Sequence, residues 1–451
     1  MTGLVSRIHA RIGDLWWYTI LMFVAQRFGD AINFFVGLWI VPRYVPQSEL
    51  GAVMPLTQFV SFVGIPLAIV AMPFMKFLGV YAARGEMGKV KALLRDVFVG
   101  TGVMAFVTLL LAWLVMPFVF ERMRVPVGSL GILIVGVSIL GAGANIFQNA
   151  VNGLKEFRAT IWFNVLAAPL RLLLMLATMP FRALSGYFVG QGTGPAVIVL
   201  GSLWTLRKRL GADVKTQPYW REDGREIWNY TWPLALLTVS TILFGAVDQL
   251  VIRHRLTDFD SAGYYMISRF AEAANYLGSA FVVFLFPLVA GRSQQDAASR
   301  RVLLHSVCGT FLGGLSVALL LLVFGRSLLG LTEQWRIYQP LAYEMFLLAV
   351  YNMLTVVCSC FYTYEAAQGR FRFLWYLLPL FSFKAVALYC VTGYTFFIGR
   401  LPQAWIDAVA ALQPNRLDFL LYVFIGFHLV FLPLLVWDVF GRRAAAGPAD
   451  S

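Results

Sequence analysis

Residues 96–119, DVFVGTGVMAFVTLLLAWLVMPFV, decide the fold. Their only ionisable residue is Asp96, at the first position, and as a helix they would run about 36 Å at 1.5 Å per residue. That exceeds the ~30 Å of hydrocarbon in a bilayer. No water reaches that depth, so each backbone donor and acceptor must be satisfied within the segment, and a helix does this. The stretch reads as a transmembrane helix. Similar runs fall at 15–41, 53–80, 127–150, 160–180, 184–206, 230–252, 262–289, 303–325, 340–364, 374–397 and 418–439. The reading is an all-α polytopic membrane protein with about twelve transmembrane helices.

Composition agrees. Apolar residues make up 59% of the 451 and charged residues 13%, whereas a soluble domain carries about 25% charged residues to cover its surface. The net charge of +13 does not imply a nucleic-acid partner, because the Lys and Arg lie in short gaps between apolar runs rather than on one basic face. Arg7, Arg11, Arg84, Lys89, Arg95, Lys155, Arg207, Lys208 and Arg209 belong to one set of gaps, and Arg43, Arg122, Arg182, Arg253 and Arg326 to the other. The first set outnumbers the second roughly two to one, which predicts that both termini are cytoplasmic. No signal-peptide cleavage site precedes the first run. Cys308, Cys358, Cys360 and Cys390 lie in apolar stretches with no metal-ligand or disulfide context and read as packing residues. No motif for a metal or cofactor is present.

The sixth and seventh runs are separated by a basic, polar linker, 207–229, that bisects the chain. It divides a six-helix bundle at 1–206 from a second at 230–443, and 444–451 reads as a disordered tail. A short outer-surface helix is expected at 400–416. The halves resemble each other. Leu38, Arg43 and Gly51 recur at one common offset as Leu250, Arg255 and Gly263, and Phe157-Arg158 recurs as Phe371-Arg372 almost in the same register. An even number of helices per repeat gives both bundles the same orientation, related by a pseudo-two-fold axis along the membrane normal. That is an arrangement of transporters that rock two bundles about a central site.

Ionisable residues inside a span cost about 2.5–3.5 kcal/mol each, so their default reading is functional. Arg27, Arg171, Arg269 and Lys384 are the deep cations, with Lys76 nearer the inner end of its span, where a snorkelling side chain is the simpler reading. Arg171 and Lys384 are near the repeat offset and read as symmetry mates. The deep carboxylates are Asp30, Asp248 and Glu272, candidates for coupling transport to protons or sodium. Asp30 follows Arg27 by three positions and Glu272 follows Arg269 by three, so each pair shares a helix face and its members can neutralise each other. Glu344 and Glu365 lie near span ends and are expected to be solvated, and His428 reads as a packed histidine. A cavity lined by Arg and Lys selects anions, because guanidinium forks match phosphate oxygens. Pro66, Pro73, Pro169, Pro233, Pro287, Pro379 and Pro433 interrupt spans. Gly190, Gly192 and Gly194 are expected to loosen the sixth helix, and Gly136, Gly141 and Gly143 to pack closely in the fourth.

In order and spacing, Arg27, the turn PRYVPQSELG at 42–51, Asn152-Gly-Leu-Lys-Glu-Phe157, Trp232-Pro233, Gly263-Tyr-Tyr265 and Phe286-Pro287 resemble one family. It is the polysaccharide transport (oligosaccharide flippase) branch of the multidrug/oligosaccharidyl-lipid/polysaccharide exporter superfamily. The resemblance implies a flippase of the bacterial cytoplasmic membrane that translocates polyprenyl-pyrophosphate-linked oligosaccharide for O-antigen, capsule or exopolysaccharide synthesis. It also implies that the first, second, seventh and eighth helices line a central cavity; here they carry Arg27, Asp30, Lys76, Asp248, Arg269 and Glu272. Lipid II flippases of the same superfamily usually carry two more helices than this chain.

Two other readings compete. A multidrug cation antiporter of the same fold would favour deep carboxylates over lone cations. A membrane-embedded polysaccharide polymerase or glycosyltransferase would need paired catalytic acids. Asp258-Phe-Asp260 imitates a metal-binding sugar-nucleotide motif, but it falls on the outer side and reads as a solvated turn.

Overall fold

The computed structural model describes residues 14–122, 124, 128–210, 215–255, 257–289, 297–379, 381–382 and 416–441. Among these no strand occurs, and eleven long helices follow one another. Helix α1 is Asp14–Phe35, prolonged by a π turn at Val36–Ile40 and a further turn at Val41–Tyr44. Then come α2 (Val53–Ala83), α3 (Met87–Arg122), α4 (Gly128–Gly153), α5 (Phe157–Thr178), α6 (Ala183–Leu210) and α7 (Trp220–Arg255). The rest are α8 (Asp258–Val289), α9 (Ala297–Leu329), α10 (Ala342–Ala367) and α11 (Arg416–Val436). Eight of the described helical segments are long and apolar enough to cross a membrane. The all-α polytopic class is therefore met. Most of the span expected at 374–397, with Lys384 and Cys390, lies outside the described residues, as do nearly all of 400–416 and the tail at 444–451.

The chain divides into two compact units, Met1–Leu243 and Phe244–Ser451. In the first, α2 packs on α3 and α4, α4 on α6, α6 on α5, and α5 on α1. In the second, α8 packs on α9 and α10, and α10 on α11. Counted from the start of each half, the second helix meets the third and fourth in both, so the repeat read from residues is also a repeat of packing.

The repeated Phe-Arg pairs have a local cause. Helix α4 ends with Lys155 at φ 60°, and the Glu156 N–H reaches back to the Val151 carbonyl at 3.1 Å. Helix α10 ends with Gly369 at φ 71°, and the Arg370 N–H reaches back to the Glu365 carbonyl at 2.9 Å. Both are left-handed Schellman caps, placed two residues before Phe157 and Phe371. Helix α2 ends alike at Gly85, φ 75°. Lys155 holds this conformation with a side chain, at a cost of about 1–2 kcal/mol.

The glycines act differently from expectation. A Cβ added at Gly136 or Gly143 would meet open space, so these do not mark a tight contact. The close approaches on α4 are at Gly131, where a Cβ would collide with Met116 of α3, and at Gly153, where it would stand 3.1 Å from the Met75 carbonyl of α2. Helix α6 runs unbroken, and at Gly190 a Cβ would collide with Met175 of α5, so that glycine tightens the packing.

The linker does not stand apart. Helix α7 starts at Trp220, ten residues before the expected span, and its first half belongs to the first unit. The Gln217 N–H donates to the Gly88 carbonyl at 3.1 Å. Lys89 gathers three carboxylates, Glu222 at 2.7 Å, Glu86 at 3.4 Å and Asp223 at 3.5 Å. The Tyr81 hydroxyl donates to Asp223 at 2.7 Å, and buried Tyr219 joins the core of Phe74, Phe77, Leu78, Leu93 and Leu206. Burial, with Asp96 beside it, pushes the Tyr219 phenol up to about 12.

Candidate functional site

In the first unit, Arg27 and Asp30 lie one turn apart on α1, with Nη1 to Oδ2 at 3.1 Å. The guanidinium stands 5.2 Å from the Phe23 ring centroid, a cation–π distance. Arg171 arrives from α5 and its Nη1 donates to Gln191 Oε1 of α6 at 3.3 Å. Gln191 Nε2 donates to the Tyr187 hydroxyl at 2.7 Å, which lies 3.5 Å from Thr57 Oγ1 of α2. Three helices, α2, α5 and α6, thus contribute to this polar chain, and α5 packs on α1, which carries the Arg27–Asp30 pair. Each member of the Arg27–Asp30 pair keeps about a fifth of its side chain exposed, 22% and 23%.

In the second unit, Arg269 and Glu272 repeat the pattern on α8, with Nη2 to Oε1 at 2.6 Å and the guanidinium 5.2 Å from the Tyr265 ring centroid. The Tyr276 hydroxyl donates to Glu272 at 3.2 Å. Asp248 of α7 is buried and accepts from the Tyr351 hydroxyl of α10 at 2.6 Å. The Tyr351 ring meets His428 of α11 edge-on, at 5.2 Å and 82°. His428 Nδ1 lies 2.8 Å from the Phe424 carbonyl, which can only accept, so Nδ1 carries a proton. Its Nε2 lies 3.1 Å from Thr355 Oγ1. His428 is buried and bonded at both nitrogens, as a packed histidine is.

Lys76 stands away from these groups. Its Nζ lies 3.8 Å from the Tyr230 ring centroid and 3.9 Å from Glu226 Oε1, at the start of α7.

Three sequence expectations are corrected. Arg253, placed in a loop, is 1% exposed inside α7 and donates to Asp258 at 2.9 Å and Ser261 at 3.1 Å. Asp258 and Asp260 form the solvated turn expected of them, Asp258 keeping 46% of its side chain exposed. Thr257 Oγ1 accepts from the Asp260 N–H at 3.1 Å and caps α8. Glu344 and Glu365, expected in solvent, are buried, because α10 is covered by neighbours along nearly its whole length. Among the described residues no group of three or more His, Cys, Asp or Glu could hold a metal ion.

Sequence reasoning found the charged pairs and missed their neutral partners, Thr57, Tyr187, Gln191, Tyr276, Tyr351 and Thr355. The available signals were four-residue spacings on one helix face, Tyr187 with Gln191 and Glu272 with Tyr276.

No family model matches the chain, and no curated protein does. Solved structures do. An inward-facing multidrug resistance MATE family transporter of the MOP superfamily is 14% identical, with a TM-score of 0.66 over 96% of this chain and 100% of that one. A MATE transporter in the straight conformation is 13% identical, with a TM-score of 0.65 over 97% and 99%. A mutant of the Vibrio cholerae MATE transporter VcmN is 14% identical, with a TM-score of 0.64 over 96% and 97%. The chain has the fold of MATE transporters.

Proposed function

We propose that this chain is a membrane transporter working by alternating access rather than an enzyme. The observation that carries the reading is partly exposed polar machinery on the first and eighth helices of a fold matched along its whole length by transporters. Multidrug transport, for which a structural relative is named, fits the paired charges: Arg27 is met by Asp30 and Arg269 by Glu272. Asp30, Asp248 and Glu272 are then the residues through which a proton or sodium ion would be coupled.

A second reading is favoured by the Arg27–Asp30–Arg171 group, where guanidinium groups outnumber carboxylates. Such a surplus suits a pyrophosphate-linked oligosaccharide lipid, its head group held by Arg27 and Arg171 while its tail remains in the bilayer. Lys384 and Arg269 are further cations proposed for that cargo. In either case the membrane is proposed to be the bacterial cytoplasmic membrane, with both termini inside.

Proteoliposomes decide between cargoes. Uptake of a cationic dye driven by an ion gradient, without turnover of a pyrophosphate-linked saccharide lipid, supports the first reading and removes the second. Lipid turnover without dye uptake does the reverse. Neither activity would overturn the transporter assignment for these cargo classes.

A further inference from the structure

At the end of the first unit where α5 turns into α6, a pocket of about 390 Å³ opens between α4, α5 and α6. Leu133, Ala177, Phe181 and Val189 form its apolar wall, and Thr178 and Arg182 stand at its polar end. Its volume falls within the ~300–1,000 Å³ of small-molecule sites. Phe181 is 86% exposed, a ring with nothing of this unit over it.

Arg182 differs from the other arginines placed above. Arg27, Arg253 and Arg269 each have a carboxylate partner. Arg182 is exposed and has no ion pair among the described residues.

The groove also continues. Leu166, Leu170, Leu173 and Leu174 of α5 are exposed and, with Ala177, recur at spacings of three and four, which places them on one helix face; Phe181 follows in the turn after α5. From Leu166 to Thr178 the helix makes a track of about 18 Å, longer than the ~15 Å of hydrocarbon in one leaflet. One end is cationic and interfacial; the remainder is a strip of leucine.

We propose that this groove is a binding site for an anionic phospholipid. The phosphate pairs with the Arg182 guanidinium, whose fork matches phosphate oxygens. The first part of an acyl chain lies on Phe181 and Ala177, and its continuation follows Leu174, Leu173 and Leu170 toward the bilayer centre. The site is separate from the Arg171 group and does not depend on which cargo the protein carries. Charge complementarity selects the headgroup: a zwitterionic lipid of the same chain length offers the same tail but cancels part of the phosphate's attraction.

Native mass spectrometry of the detergent-solubilised protein tests this, using phosphatidylglycerol and phosphatidylcholine with identical chains. Wild-type protein should retain phosphatidylglycerol preferentially. Arg182→Gln should lower that retention about fivefold, the worth of one arginine at a membrane surface. Arg326→Gln, which removes an exposed arginine from another helix end, should leave it unchanged. Ala177→Trp, which fills the groove, should lower retention of both lipids. Each variant is first shown to be monodisperse with an unchanged melting temperature. Equal retention of the two lipids, no loss in Arg182→Gln, or the same loss in Arg326→Gln would overturn the proposal.

Discussion

Two places in this molecule use one short pattern and do different things with it. On α1 the order is Phe23, Arg27, Asp30; on α8 it is Tyr265, Arg269, Glu272. In both, the guanidinium stands 5.2 Å from an aromatic centroid four residues back and pairs with a carboxylate three residues on. The surroundings separate them. On α8 the pair gains a neutral partner, the Tyr276 hydroxyl, and stays balanced. Beside α1, the packed helix α5 brings a second guanidinium, Arg171, bonded to Gln191 of α6, so this unit holds one more deep cation. The device is a matched pair on a helix face, and its net charge is set by what a neighbouring helix adds.

The largest effect should come from removing the α1 carboxylate. Breaking a buried ion pair from one side costs about 3–5 kcal/mol, and partial exposure at Asp30 favours the lower end. Asp30→Ala takes the carboxylate from Arg27 in the unit that also holds Arg171, whereas Glu272→Ala takes it from Arg269, the one deep arginine of α8. Thermal unfolding in detergent should fall further for Asp30→Ala. Equal falls would break the comparison.

Next comes the surplus itself. Arg171→Met leaves Arg27–Asp30 intact, so the protein should fold. Transport of an anionic lipid-linked substrate in proteoliposomes should drop about tenfold, the equivalent of roughly 1.4 kcal/mol. Arg269→Met should reduce it less. A larger loss at Arg269 would move the anion-selective group to the other unit.

Of similar size is Tyr351→Phe, which takes one hydrogen bond from buried Asp248 while leaving the ring against His428. The expected cost is about 1–3 kcal/mol, seen as a lowered melting temperature. An unchanged value would place Asp248 among groups stable without that bond.

The smallest effects compare the two helix ends. Lys155→Gly relieves a left-handed residue and should stabilise by about 1 kcal/mol, while Gly369→Ala should destabilise by a similar amount. Opposite signs are the point. If both changes destabilise, Lys155 has a bonding role beyond its backbone.

Much of this fold was readable in advance because hydrocarbon is an exacting solvent. Stretches such as 96–119 permit one backbone form, and the Arg-x-x-acid spacing on α1 and α8 puts partners on one face. The matching Phe-Arg pairs were legible as a repeat, and each follows a left-handed helix cap that the sequence reading did not name. What escaped were arrangements that depend on a second helix. Gln191 and Tyr351 are neutral, recur with no period, and gain meaning only when α5 or α7 lies alongside. Glu344 and Glu365 look solvated by position, yet α10 is a central helix and covers them. The start of α7 was hidden for a related reason. Its first turns, Trp220 to Tyr230, are polar because they pair with Lys89, Lys76 and Tyr81 rather than with lipid.

That last feature bears on how the polypeptide could be divided. Residues 217–223 of the linker are moored to α2 and α3 by Lys89's pairs with Glu222 and Asp223, the Gln217 amide and the buried Tyr219 ring. A chain severed between Leu210 and Lys215 would still carry this mooring on the downstream fragment and its receptor on the upstream one. Co-expressed as two polypeptides, the halves should therefore purify together on a single affinity tag, and Lys89→Glu should let them part.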